Sequence, residues 1–352
     1  MRVLLLTFNC LPRRWLGCYG SMDRSTPGLD RLASQGAVFD ECITASVESG
    51  VGEACGLRTP GRGEHAIRTL DGRLLGGAHR TFRVAPAAKK RHDRPLLSSA
   101  VHETCVWFRG DAPQQACAWL RHPGIVLAEP PFYGERDERV VARQLEQLDA
   151  GIGDLLDRWQ VVAEPDWRLV IVAGRGAIPA PPPRTDADAR AAEVPPEPVL
   201  CDDWIHVPLL MLAGGGESFG ARSRSLLSTA CVGATLERWL GVESPALEPV
   251  CDLDAALTEN AGLPRVVTRG PGLFRSVRTP EWFLRANPFP RVDEPPGALF
   301  RKPEDVWDVF DIATQHPETA ADLATYCEPV PTIGAAAGLE ETPEASPDAD
   351  SA

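Results

Sequence analysis

The chain reads as an α/β protein with a central, mostly parallel sheet flanked by helices and a small antiparallel subdomain near its C-terminal end. Three observations predict this. An apolar run, Val3 to Leu6, leads after a loop into a helix with signals at both ends. An amphipathic stretch from Val141 is followed by the fully apolar run Leu169 to Val172, and a strand covered on both faces needs apolar residues throughout. Beyond about Pro264 the pattern changes to short aromatic-rich segments between Pro and Gly turns.

Taken in order, Val3 to Thr7 is a buried strand. From Thr26 to Gly36 a helix is expected, with Thr26 as cap, Pro27 in the first turn and Gly36 as the stop. Residues 56–94 are rich in Gly and Arg with little periodicity, which predicts loop. Val141, Leu145, Leu148, Ile152, Leu155, Leu156 and Trp159 recur at helical spacing and form one apolar face. Leu169 to Val172 is the central strand, and the prolines between Ala177 and Pro198 resist packed structure. His206 to Leu212 reads as the next strand. SLLSTACVGATLERWLG then reads as a helix, with Val232, Leu236, Trp239 and Leu240 on one face and Gly241 as its end. Phe274 to Arg278 and Trp282 to Arg285 are short strands. After Pro329 the chain is Ala, Pro and acid, a composition expected to be disordered. The domains are therefore read as 1–260 (core), 261–328 (small α+β subdomain) and 329–352 (tail).

Composition narrows the function classes. The formal charge of −13 argues against nonspecific binding to nucleic acid or to an anionic membrane surface. The opening apolar run is too short for a signal segment or a span, and no other stretch approaches spanning length, so a cytoplasmic protein is expected. Ten cysteines lie without CxxC spacing, which points to reduced core thiols rather than a zinc site or a disulfide framework.

Several segments carry a family resemblance. LLLTFNCLPRRWLGCYG resembles T-V-D-T-L-R-x-D-x-L-G-C-Y-G, matching at Thr7, Leu11, Leu16, Gly17, Cys18, Tyr19 and Gly20. TPGLDRLASQG resembles T-P-N-L-D-x-L-A-x-x-G, and LEQLDAGIGDLLDRW resembles Y-L-D-x-x-L-G-x-L-L-D-x-L. WDVFDIATQHPETAADLA resembles L-Y-D-L-x-x-D-P-x-E-x-x-N-L-A, offset by a residue. These patterns belong to the sulfatase family of the alkaline phosphatase superfamily, and the resemblance spans residues 3 to about 325. It implies the sulfatase-like α/β fold, a calcium or magnesium ion, and a formylglycine nucleophile matured from Cys or Ser within C/S-x-P-x-R.

At the positions the resemblance assigns to chemistry, this sequence differs. The leading metal-binding Asp falls on Asn9, followed by Cys10. A hard cation wants several anionic oxygens, whereas Asn offers one neutral carbonyl and Cys none. The nucleophile position falls on or near Ser49, with Val51 and Glu53 in place of the motif's Pro and Arg. The second metal motif, T-S-D-H-G, reads Ala173-Gly174-Arg175-Gly176, so Gly174 has no ligand and Arg175 brings a permanent positive charge. No cofactor is therefore expected.

The remaining candidates each have a plain and a functional reading. Arg175 is either a solvated strand-end arginine or a guanidinium that binds an anion in the residual cleft. Cys10 is a buried inert thiol or a nucleophile. Asp202 and Asp203 are solvated loop carboxylates, or part of a cation site if partners arrive from elsewhere. Lys89, Lys90 and Arg91, close to Arg94, are a hydrated loop or a docking patch for an acidic partner. His65, His79, His92, His102, His122, His206 and His316 are dispersed and take ordinary roles.

The expected function is that of a sulfatase-like protein without a competent metal centre, acting by binding a sulfated or other anionic ligand or another protein. The alternative is an active sulfuric or phosphoric ester hydrolase with a rearranged site.

Overall fold

The computed structural model describes residues 1–48, 50–57, 79–83, 97–110, 112, 116–125, 135–162, 166–177, 200–214, 220–241, 251–291 and 293–327. Ser49, the basic run at 89–91, Arg94, most of the Pro-rich loop and the acidic tail lie outside the described residues.

At the centre is β1 (Arg2–Cys10), longer than its apolar run because it is paired on both sides. It runs parallel to β4 (Ala116–Gly124) and to β5 (Trp167–Arg175), with Leu6 opposite both Leu120 and Ile171. Val3, Leu4, Leu6, Phe8 and Leu169 to Ala173 are fully buried, as two covered faces require. With β2 (Ala37–Ile43), β3 (His79–Arg83), β6 (Leu209–Ala213) and β7 (Ala221–Ser228), the order is β3-β4-β1-β5-β6-β2-β7. Of these, β6 runs antiparallel to its neighbours β5 and β2.

Two of these strands correct the sequence reading. β3 falls inside the stretch expected to be loop, where it extends the parallel edge beside β4. β7 takes the residues SLLS, which were expected in a helix; that helix, α6 in chain order, begins only at Ala230 (Ala230–Trp239). Gly241 ends it as expected, at φ 68°, a conformation that glycine adopts without penalty.

Helix α1 (Pro27–Gln35) has the expected bounds but different end chemistry. The Thr26 hydroxyl accepts from Gly17 N (2.8 Å) and donates to Asp30 (3.2 Å) instead of capping. The free N–H groups of Gly28 and Leu29 are taken by Asp149, each at 2.8 Å. Asp149 belongs to α4 (Glu135–Val162), so one carboxylate both caps α1 and fixes it on its neighbour. Gly36 is needed for close approach, since a Cβ there would lie 2.2 Å from the Met211 carbonyl oxygen. Helix α3 (Leu97–Gly110) covers the sheet through Phe108, which meets Trp159 at 5.0 Å edge-on.

The second sheet is antiparallel, in the order β11-β10-β9-β8, from β8 (Val266–Arg269), β9 (Arg275–Arg278), β10 (Trp282–Ala286) and β11 (Gly297–Arg301). One face, Val277, Leu284 and Leu299, packs under α8 (Pro317–Ala324). The other, Phe283 and Phe300, packs with Ile43, Val47, Trp204, Ile205 and Leu226 of the main unit. Alternation along each strand sorts the two sets. This joint places the loop after β11 beside the carboxyl edge of the main sheet.

Candidate functional site at the sheet edge

The carboxyl ends of β1 and β5 lie side by side, the usual place for a crevice in a parallel sheet. Because β6 runs the other way, its leading residues reach the same edge. They include α5 in chain order (Asp202–Ile205), which precedes His206, while α2 (Val51–Ala54) packs on β1 and β5.

At the end of β1, Asn9 is exposed and Cys10 is buried. Cys10 Sγ donates to the Gly176 carbonyl at 3.2 Å. Burial pushes its thiol up to about 11, although Arg175 pulls the other way. A neutral, hydrogen-bonded thiol is a poor nucleophile. Arg175 itself is exposed, as the plain reading of a strand-end arginine expects. A Cβ at Gly174 would lie 2.9 Å from Val51 Cβ, and one at Gly176 would lie 2.0 Å from the Asp203 carbonyl oxygen. The backbone of β5 is thus pressed against α2 and α5, leaving no room for side chains there.

The carboxylates of α5 correct the sequence reading, which had them solvated. Asp202 is 4% exposed. Its Oδ2 lies 3.2 Å from His206 Nδ1 and its Oδ1 lies 3.5 Å from Lys302 Nζ. His206 Nε2 donates to the Asp40 carbonyl at 2.6 Å. Lys302, 3% exposed, donates to Asp308 at 2.7 Å, and Asp308 in turn accepts the Asp202 N–H at 2.7 Å. Burial pushes the Asp202 carboxyl up, yet His206, Lys302 and Arg278 together outweigh it and hold it well below the usual range. Asp203 goes the other way: burial raises it to about 6 against the pull of Arg14, and Asp202 and Asp308 add to the rise. At Asp203 the loss of water on burial outweighs the 2.6 Å pair with Arg14, and the neighbouring acids reinforce it.

Arg14 closes the crevice. Its Nε pairs with Asp203, its Nη2 lies 3.8 Å from Asp202 and donates to the Val306 carbonyl, and its guanidinium sits 3.7 Å from the centre of the Trp307 ring. The loop after β11 therefore lies against the turn after β1. Between Pro12, Arg13, Arg14, Asp202, Asp203 and His206 remains a cavity of about 10 Å³, room for one water.

No family model matches the chain, and no curated protein does. Solved structures do match, at low identity. A 2-O glycosaminoglycan sulfatase aligns at 13% identity and TM-score 0.63, covering 92% of both chains. The phosphonate monoester hydrolase of Agrobacterium radiobacter aligns at 12% identity and TM-score 0.62, covering 93% of this chain and 96% of that one. An alkaline phosphatase superfamily protein from Vibrio parahaemolyticus aligns at 14% identity and TM-score 0.57, over 93% and 85%. The chain has the sulfatase fold.

On this sulfatase fold, the donors at the two strand ends do not suit a calcium or magnesium ion. They are one neutral amide, one protonated thiol, a glycine with no space for a side chain, and an arginine. The nearby carboxylates face Arg14, Lys302 and His206 instead. Among the described residues no three His, Cys, Asp or Glu side chains converge as metal ligands.

Sequence reasoning missed Arg14, His206, Lys302, Trp307 and Asp308. The i,i+4 spacing of Asp202 and His206 in DDWIH was a usable signal, but the partners 100 residues further on had none.

Proposed function

We propose that this sulfatase-fold chain does not cleave esters through a metal and acts by binding, with Arg175 as the contact for a sulfated or other anionic ligand. The observation that carries the reading is Arg14. Its guanidinium holds the two carboxylates of α5 and lies under Trp307, at the edge where the resemblance puts a doubly charged cation. A second positive ion there would be opposed by Arg14, Lys302 and Arg175 and would have to draw the carboxylates from partners they already have. Without the ion, activation of a formylglycine hydrate and stabilisation of the leaving sulfate lose their main electrostatic support.

Arg175 supports the binding half. It is exposed at the strand end beside exposed Asn9, and an arginine fork suits a tetrahedral oxyanion. A protein partner is the second reading, favoured by Val309 and Phe310, which are 63% and 72% exposed next to Trp307.

The test combines metal analysis with turnover. The purified chain, dialysed against calcium or magnesium, is expected to retain no stoichiometric ion and to leave a generic aryl sulfate uncleaved. A sulfated sugar is expected to bind saturably, and more weakly to Arg175→Gln. A retained ion together with turnover abolished by Ser49→Ala would establish the active hydrolase instead.

A further inference from the structure

We propose that the C-terminal sheet carries a second pocket, separate from the strand-end crevice, which takes a small organic anion with its oxyanion end on Arg285. The cavity has a volume of about 400 Å³, within the range of small-molecule sites. Its walls include Leu200, Phe274, Pro288 and Pro295, which offer apolar and stiff surface. Ala298, paired directly with Arg285 across β10 and β11, forms the floor beside it.

Arg285 enters from β10 and is half-buried. Its guanidinium carbon lies 4.5 Å from the centre of the Phe300 ring. Among the described residues no hydrogen bond or ion pair reaches it. The neighbouring Cys201 offers no counter-charge, since burial pushes its thiol up to about 11. A guanidinium held against a ring keeps its N–H edge available, and that edge matches a carboxylate, sulfate or phosphate.

The other charged groups on the wall are already engaged. Asp311 accepts from Leu299 N at 3.0 Å and Ala313 N at 2.9 Å, and Glu294 lies 3.6 Å from Arg291. Arg275 donates to the carbonyls of Gly272 (3.0 Å) and Phe274 (2.7 Å). Two arginines and two carboxylates thus share the wall, and of these charged groups Arg285 is the one whose hydrogen-bonding edge has no partner among the described residues. With the apolar walls, that favours an oxyanion on a small ring or short chain over a cation.

Calorimetric titration of the full chain with benzoate, phenyl sulfate and benzylamine tests this. Benzoate or phenyl sulfate is expected to bind saturably, and benzylamine is not. Arg285→Gln is expected to weaken the anion by about tenfold or more, whereas Arg175→Gln changes it less than about twofold. Ala298→Leu, which narrows the cavity without changing charge, is expected to weaken it as well and serves if Arg285→Gln does not fold. The proposal is overturned if benzylamine binds as tightly, if binding follows Arg175 rather than Arg285, or if neither anion saturates below about 10 mM.

Discussion

The guanidinium of Arg14, one turn beyond the central strand, lies 3.7 Å from the centre of the Trp307 ring while its Nε holds Asp203 at 2.6 Å. One side chain thus ties the loop of the second sheet to the carboxyl edge of the first. Its two contacts differ in weight. Trp307 is 69% exposed, so Trp307→Ala removes a solvent-screened cation–π contact and is expected to cost about 0.5–1 kcal/mol. Arg14→Gln leaves Asp202 and Asp203 short of a cation in a partly dry place and is expected to cost about 2–4 kcal/mol. Urea denaturation of the two variants gives the order, and equal losses would show that the stack, not the ion pair, dominates.

Lys302 is a buried cation of the network, bracketed by Asp308 at 2.7 Å and Asp202 at 3.5 Å. Lys302→Met keeps the length of the stem but leaves two buried carboxylates facing each other. Breaking such a pair from one side is expected to cost about 3–5 kcal/mol. The double variant Lys302→Met with Asp308→Asn should recover part of this, because it removes a stranded charge as well as its partner. A double-mutant cycle measures the coupling, and strictly additive losses would show that the two do not interact.

In the response of stability to acid, Asp203 and His122 act with opposite signs, while the depressed Asp202 adds stability that is lost as pH falls and the raised Asp149 and Asp308 side with Asp203. Asp203 has a folded value of about 6 against an ordinary 3.8, so the folded state holds the proton more firmly. Its contribution is favourable below about pH 4 and is lost as pH rises through 6. His122 is lowered by burial from 6.5 to about 4, so its contribution is lost as pH falls through the same window. The contributions of these two nearly offset each other between about pH 4 and 6. Asp203→Asn uncovers them: its stability relative to wild type should rise by about 3 kcal/mol between pH 4 and 7, the equivalent of a displacement from 3.8 to 6. Denaturation midpoints at four pH values suffice, and a flat difference would show that Asp203 titrates normally.

The parts of the fold that could be read from the sequence are those whose pattern is local. β1, α1, α4 and β5 each bury a face set by residues a few positions apart, so Val3 to Leu6 and the ridge from Val141 to Trp159 declare themselves. β7 could not be read, because SLLS runs into α6 with no Pro or Gly between them and its partner β2 lies far back in the chain. At the site, the weak donors Asn9 and Gly174 are visible as residue types. The network that replaces them is not, since it joins Arg14, Asp202 and Lys302 from three distant segments. The same distance explains the misreading of Asp202 and Asp203: a pair of adjacent acids before a strand is solvated unless cations arrive, and here they arrive from residues 14 and 302.

Gly174 offers the sharpest check on the strand-end reading, because the position is closed by sterics as well as emptied of donors. A Cβ there would lie 2.9 Å from Val51 Cβ and 3.1 Å from Val51 Cα, so part of the obstruction is backbone. Gly174→Asp is therefore expected to destabilise by about 1–3 kcal/mol, the usual range for overfilling a packed contact. Calcium should not restore it, since the introduced carboxylate would gain only the neutral Asn9 and protonated Cys10 as companions, with Arg175 adjacent. Pairing it with Val51→Ala removes the Cγ2 contact at 3.2 Å, leaves Cβ and Cα in place, and should return only a small part of the stability without conferring ion binding. Thermal unfolding with and without 10-fold steps of calcium separates the two effects, because a bound ion raises Tm with the logarithm of its concentration while relief of crowding does not. A calcium-dependent rise in Gly174→Asp would mean that the edge still assembles an ion site, and the metal-free reading would fall.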